Sequence, residues 1–299
     1  MSTVKRYLGF DTSSVTGVVV AFEVSDQVED NLRIVAEWTL SLETSRHSER
    51  LLWTIDTVLQ SAGWKLSDLT AIAVGVGPGS FTGLRIGITT AAMLAAQLKL
   101  PVIPISSLAL LARGAHEFLK EMIEVNPKQN KGLEKTLIMA CTDASKGEWF
   151  ALTGSQKSIG DCIAMAEGDL PGIWGRGVSE KAITPEVALK EVEKYLDKHP
   201  ESSWLAVGQS VQRYEIEFKT LPAKRRLSIK KALNQVQPRI LAILTWEAIQ
   251  QGFFRDFSAL KPRYLRDSDA EVKLKKGLLK PAATEIHAPG SAFHRGGIA

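Results

Sequence analysis

An α/β fold of two lobes, each a mixed sheet flanked by helices, is predicted from three features of the sequence. The first third reads strand, strand, strand, helix, strand, helix, strand, with apolar runs that switch between short buried bursts and helical 3.6-residue spacing. The stretch LIMACTDASKGEWFAL (137–152) repeats the order of LGFDTSSVTGVVVAF (8–22): apolar strand, Asp, small hydroxyl residues, Gly, apolar strand. A duplicated unit produces such an echo, although strand-turn-strand units look alike in many unrelated chains. Finally, 299 residues with 44% hydrophobic and 23% charged side chains suffice for one large core or two moderate ones, and length alone favours about two domains.

Residues 7–10 read as a short buried strand that DTSS breaks. Residues 17–24 give a second strand, DQVEDN a turn and residues 33–42 a third strand, so the chain opens as an antiparallel meander. Ser48 is placed to cap a helix with Glu49 in its first turn; Leu51, Leu52, Ile55, Val58 and Leu59 mark its apolar stripe and Gly63 closes it. Residues 71–76 form a strand, 83–99 a helix and 102–105 a further short strand. The polar stretch 117–135, with Pro127, suits a surface connection. Later, 184–196 reads as an amphipathic helix, 204–207 as a strand and 238–252 as a helix. The expected division is 1–112 for the first lobe and 113–266 for the second with its C-terminal helix and strand. Periodicity then ends, and 267–299 is expected to be a mobile tail.

Composition narrows the function classes. A net charge of +4 permits an acidic partner such as RNA without demanding one. Cys141 and Cys162 have neither the number of a disulfide framework nor the CxxC spacing of a zinc site, which fits a reducing cytoplasm. MSTVKRYLGFDTSS reaches an aspartate before a signal-peptide apolar region can form, and no run of about 18 uncharged apolar residues exists, so neither export nor a membrane span is expected.

Two turns carry the candidate chemistry. In nucleotide-binding proteins of the actin-like architecture a strand ends in Asp before a small polar turn. Its hydroxyls and N–H groups wrap phosphate while the carboxylate orients a metal-bound water. Asp11, Thr12, Ser13 and Ser14 have that form, and Asp143, Ala144 and Ser145 have it more weakly. The structural alternative is that Asp and Ser satisfy the backbone of a tight hairpin turn.

The other turn lies in VGVGPGSFTGLRIGITTAAMLAAQLKLP (74–101). No Gly-Lys-Ser/Thr closes it, and Gly75, Gly77 and Gly79 do not make GxGxxG. Pro78 and Gly79 suit a type II turn, after which Ser80 or Thr82 caps the helix. From Ile86 to Leu98 this helix has no charged side chain, yet it is too short to span a bilayer. Gly83, Gly87, Ala91, Ala92, Ala95 and Ala96 allow close approach, and Leu84, Ile88, Met93 and Leu94 supply bulk. One face is expected on the chain's own sheet and the other on a second protein, joined by part of the helix after Ser48. The alternative is a helix sandwiched inside a single chain.

GFDTSS, HSERLL, GVGPGSFTGLRIG, CTDASKGEWF and PRYLR, spread over roughly residues 5–266, resemble the TsaB family, with GPGSFTGLRIG the most specific string. Members are bacterial partner subunits in the synthesis of the N6-threonylcarbamoyl modification on adenosine next to the tRNA anticodon. The resemblance implies a two-lobed actin-like (ribonuclease H-like) ATPase fold that pairs through its first lobe with TsaD, the relative that binds metal and transfers the threonylcarbamoyl group. The ATPase TsaE joins them, and tRNA is met only through the complex. On that basis Leu51, Leu52, Ile55, Leu59, Leu84, Ile88, Ala91 and Leu94 are expected in a four-helix interface with TsaD, or in a homodimer when TsaD is absent. Asp11, Thr12, Ser13, Gly77, Gly79 and Ser80 are expected to be a vestigial nucleotide or phosphate turn. No catalytic residue, no metal and no cofactor are expected on this chain alone; any ATP or ADP belongs to the complex.

The expectation about metal has a chemical basis. TsaD-like relatives continue into a His-x-Glu-Gly-His segment whose histidines bind metal. Here PISSLALLA (104–112) stands in that place, with Ser107 and Leu111 at the ligand positions. His47, His116, His199, His287 and His294 show no such spacing, and leucine offers no lone pair. No HExxH and no persuasive Ser or Cys nucleophile motif occurs either. Two rival readings stand beside the partner subunit. One is an active small-molecule kinase of the actin-like fold, with GRGVSE (175–180) as a thin second phosphate turn; the other is a peptidase acting on TsaD. Lys224, Arg225, Arg226, Lys230 and Lys231 offer a basic face for tRNA phosphates or simply a solvated one, since no aromatic is interleaved.

Overall fold

The computed structural model describes residues 4–25, 32–42, 47–160, 163–167, 170–174, 178–213, 225–227 and 231–265. The expected tail 267–299 lies outside them, as do residues 175–177 of GRGVSE and Lys224 and Lys230 of the basic segment. Residues Met1–Leu265 form one compact unit.

The first sheet contains β1 (Val4–Asp11), β2 (Thr16–Ser25), β3 (Leu32–Ser41), β4 (Ala71–Gly77) and β5 (Val102–Ser106) in the order β3-β2-β1-β4-β5. The meander β1-β2-β3 is antiparallel, whereas β4 and β5 run parallel to β1. Parallel strands need a crossover, and α2 (Phe81–Leu98) supplies it between β4 and β5, after α1 (His47–Ala62) has linked β3 to β4. α1 starts one residue before Ser48, which therefore lies in its first turn. Ser80, not Thr82, caps α2: its hydroxyl accepts from the Gly83 N–H.

α3 (Ser107–Val125) and the short α4 (Pro127–Asn130) lead into a second sheet of β6 (Leu137–Ser145), β7 (Glu148–Ser155), β10 (Ser179–Ile183) and β11 (Trp204–Val207), ordered β10-β7-β6-β11. Between β7 and β10 lie α5 (Gln156–Gly160) and the hairpin β8 (Ile163–Glu167) and β9 (Leu170–Trp174). α6 (Pro185–Lys198), α7 (Gln209–Arg213) and α8 (Pro238–Gln250) follow among the described residues. β6 pairs antiparallel with β7 and parallel with β11, just as β1 does with β2 and β4. The sequence echo thus corresponds to two sheets of matching order.

Five layers result. α1 and α2 cover one face of the first sheet, through Leu51, Ile55, Leu84 and Ile88 against Leu8, Phe10, Ile72 and Val74. The other face shares a core with α8, α3 and the second sheet, through Tyr7, Val20, Leu108, Leu111, Ile138, Leu205 and Leu241. α6 closes the far side of the second sheet over Met139, Trp149 and Trp204. β1 and β4 are sandwiched on both faces, which is why they read as continuous apolar runs.

The connection expected at 117–135 is corrected: α3 continues to Val125, capped by the Ser106 hydroxyl, which accepts from the Ala109 N–H. Its buried residues Leu108, Leu111, Ala115 and Leu119 follow helical spacing, while the solvent side of its second half carries the charges. The boundary at residue 112 falls inside this helix, and the same helix packs against both sheets.

Candidate functional site

The two candidate turns meet. Asp11 ends β1 fully buried, and both of its carboxylate oxygens are engaged. Oδ1 accepts from the Ser13 N–H (2.9 Å) and the Ser13 hydroxyl (2.7 Å); Oδ2 accepts from the Ser107 hydroxyl (2.6 Å) at the start of α3. Ser107 Oγ in turn accepts from the Gly77 N–H at 3.1 Å. Burial pushes the Asp11 carboxyl above its usual range, and the hydrogen bonds from Ser107 and Ser13 pull it back. Ser107 stands where the resemblance places a metal-binding histidine of TsaD-like relatives. In this chain that position clamps the aspartate.

The glycines exist for this contact. A Cβ on Gly75 would sit 1.8 Å from Asp11 Oδ2, one on Gly79 2.3 Å from the Ser13 carbonyl oxygen, and one on Gly83 2.0 Å from the Thr12 carbonyl oxygen. The Thr12 hydroxyl donates to the Gly83 carbonyl (2.7 Å), and the Ser80 N–H to the Ser13 carbonyl (2.7 Å). A phosphate nest needs free N–H groups and open space in front of them. Here the N–H groups of Ser13, Gly77, Ser80 and Gly83 are all committed, and the chain's own turn fills the space in front of Gly79 and Gly83. The turn does not fit a bound phosphate. The expected type II turn is also absent: the Gly77–Pro78 peptide is cis, and the positive φ (+98°) lies at Gly77, not at Gly79.

The eight expected interface residues divide. Leu51, Ile55, Leu59, Leu84, Ile88 and Ala91 are buried in the core beneath α1 and α2, and Leu94 packs partly against it. They bind the helices to their own sheet, a correction that follows from which side of each helix faces the strands. Of the eight, Leu52 is the one that is exposed, at 53%. Apart from Leu52 and Met93, the outward surface consists of residues that the sequence spacing did not single out. On α1 and β3 these are Trp53 and Trp38, whose rings meet edge to face at 5.8 Å. On α2 the outward residues are Phe81, Thr82, Arg85, Thr89 and Met93, the last 68% exposed. Arg85, the one charged residue of α2, lies over the Phe81 ring at 3.8 Å, and Tyr264 stacks on that ring at 5.5 Å. Exposed aromatics and an apolar helix face were the available signal.

The remaining candidates are structural. Asp143 Oδ1 accepts from the Ser145 N–H at a hairpin turn. Glu180 of GRGVSE is buried and faces Arg263. Arg225 donates to the carbonyls of Leu196, His199 and Pro200 at the end of α6, and Arg226 lies over the Trp204 ring, so both serve the fold. Among the described residues no group of three or more His, Cys, Asp or Glu could hold a metal, and no helix is long and apolar enough to cross a membrane.

A family model described as TsaD, tRNA N6-adenosine threonylcarbamoyltransferase, matches residues 39–127. The chain is 30% identical over 168 residues to the tRNA threonylcarbamoyladenosine biosynthesis protein TsaB of Escherichia coli, covering 56% of this chain and 59% of that protein. It matches the TsaB of Haemophilus influenzae at the same identity, over 56% and 63%. The solved structure of YeaZ from Pseudomonas aeruginosa superposes with a TM-score of 0.58 at 25% identity, over 87% of this chain and all of that one. The chain resembles these TsaB proteins in sequence and YeaZ in fold. Its matched region spans about three fifths of the length of these curated TsaB proteins. The fold is accordingly the actin-like one, with a glycine turn that holds the Asp11 turn.

Proposed function

We propose that the chain is a non-catalytic partner and activating subunit in the formation of N6-threonylcarbamoyladenosine on tRNA in the cytoplasm. It docks on a TsaD-type transferase through the outward faces of α1 and α2 and helps recruit TsaE. The names of its TsaB relatives place them in this biosynthesis. The observation that carries the reading is the outer face of those helices, where Leu52, Trp53, Phe81 and Met93 are 53%, 59%, 44% and 68% exposed. Aromatic residues, Met and Arg are the types enriched at protein interfaces. Arg85 stands on that face over the Phe81 ring, placed to meet a carboxylate of the partner surface. The same face serves a homodimer when the transferase is absent. The engaged oxygens of Asp11 support a role without chemistry at that turn.

Reconstitution with purified TsaD-type transferase, TsaE, tRNA, ATP and threonylcarbamoyl-adenylate tests the proposal, scored as modified adenosine. Met93→Glu with Trp53→Glu is expected to abolish association and modification while leaving the fold's stability within about 0.5 kcal/mol of the parent. Asp11→Asn with Asp143→Asn is expected to retain modification. Undiminished association of the first variant, or loss of activity by an assembled complex of the second, overturns the reading.

A further inference from the structure

Behind the exposed Phe81–Tyr264 stack lies an ion pair that joins the two sheets. After α8 the chain returns along the edge of the first sheet. There Arg255 exchanges backbone hydrogen bonds with Val102 on β5, each 2.9 Å, and the Arg263 N–H donates to the Val76 carbonyl of β4 at 2.7 Å. The Arg263 carbonyl lies against Gly77, 3.5 Å from where a Cβ would stand. The Arg263 side chain turns inward, 2% exposed, and its Nε lies 2.5 Å from Glu180 Oε2 on β10 of the second sheet. The other Glu180 oxygen accepts from the Ser106 hydroxyl, which also caps α3. The next residue, Tyr264, is 43% exposed and stacked on Phe81. The Tyr264 N–H donates to the Pro262 carbonyl at 3.1 Å, a tight turn centred on Arg263 that ties the inward Arg263 to the outward Tyr264.

We propose that Glu180 and Arg263 are positioning residues through which the second sheet sets the Phe81–Tyr264 surface at the start of α2, and thereby the docking of the partner subunit. The proposal rests on the docking surface described above. A buried charge pair adds little net stability but demands one geometry, because each charge without the other is left uncompensated. The pair therefore acts as a register pin between the second sheet and the first-sheet surface. Its requirement for a planar, directional donor distinguishes it from simple apolar filling, which any side chain of that volume would provide.

The experiment uses the full chain with Glu180→Gln and, should that variant fail to fold, Glu180→Met combined with Arg263→Met, which removes both charges together. Hydrogen exchange read by mass spectrometry is expected to accelerate about tenfold in residues 261–265 while β1 and β4 keep parental rates. The dissociation constant for purified TsaD-type transferase is expected to rise about tenfold, and Tyr264→Ala in the same background should add nothing further, since both act on one contact. Unchanged exchange in 261–265, uniformly faster exchange across the chain, or full additivity with Tyr264→Ala overturns the proposal. Local acceleration with unaltered affinity overturns it as well. If the parent itself does not bind the transferase, the docking reading falls separately, because the exchange measurement needs no partner.

Discussion

The two sheets place an aspartate at equivalent hairpins, and the two aspartates have different fates. Asp11 is fully buried, accepts three hydrogen bonds and is enclosed by the glycine turn. Asp143 is half-exposed and sits beside a turn in which Ser145, Lys146 and Gly147 all have positive φ (63°, 56° and 77°). Each sheet keeps a glycine at the end of its parallel strand, Gly77 as the last residue of β4 with φ +98° and Gly208 just after β11 with φ +108°. The helices after these glycines differ: α2 has 18 residues and brings its N-terminus onto the Asp11 turn, whereas α7 has 5. The same local pattern therefore becomes a buried staple where a long helix lands on it and an open hairpin where none does.

The comparison breaks most readily at the glycines. Gly83→Val drives side-chain atoms into the Thr12 carbonyl and is expected to cost more than about 3 kcal/mol in denaturant unfolding. Gly147→Ala meets no atom within 4 Å and is expected to cost about 1 kcal/mol, through its positive φ alone. Equal losses would show that the first turn is not close-packed.

A smaller contrast separates the aspartates. Asp11→Ala strands the donors of Ser13 and Ser107 in a buried site and is expected to cost about 3 kcal/mol. Asp143→Ala, at a partly solvated turn, is expected to cost less than about 1 kcal/mol by the same measurement. The reverse ranking would assign the staple to the wrong hairpin.

The subtlest effect is on pH dependence. Burial raises the Asp11 carboxyl in the folded state above its ordinary 3.8, so the folded chain holds that proton more tightly than the unfolded chain. Its contribution is then full below pH 3.8 and is lost as pH rises through the folded-state value. Stability of the parent relative to Asp11→Asn should fall across that window and level off above it. A difference that grows in the parent's favour with rising pH would mean that the hydrogen bonds outweigh burial.

Much of the fold was legible from local chemistry. Short apolar runs between turn residues located β1, β2, β4, β5 and β11. The repeated strand-Asp-turn-strand order anticipated the matching hairpins, and Ser80 had the side chain and spacing of a cap. α3 was missed: no element was read over its first half, and its acidic and basic C-terminal half, with Pro127 just beyond it, resembles a connection; the Leu108, Leu111, Ala115, Leu119 spacing was the usable signal. The candidate turn was found, but its use was not. The clamp on Asp11 comes from Ser107, 96 residues away, and no pattern of neighbours in sequence encodes such a meeting.

By itself the sequence determined where most strands and helices of the first sheet form, since hydrophobic period, caps and turn residues act over a few positions. It also determined that α2 is nearly without charge. Only the tertiary structure decided which side of α2 is inside. One charge, Arg85, and a few threonines orient the helix weakly, so the close approach of Gly83 and Gly87 to Thr12 turned Leu84, Ile88 and Ala91 inward and left Arg85 and Met93 facing out. The pairing of Glu180 with Arg263 was decided in the same way, because a buried charge is tolerated only where folding delivers its partner.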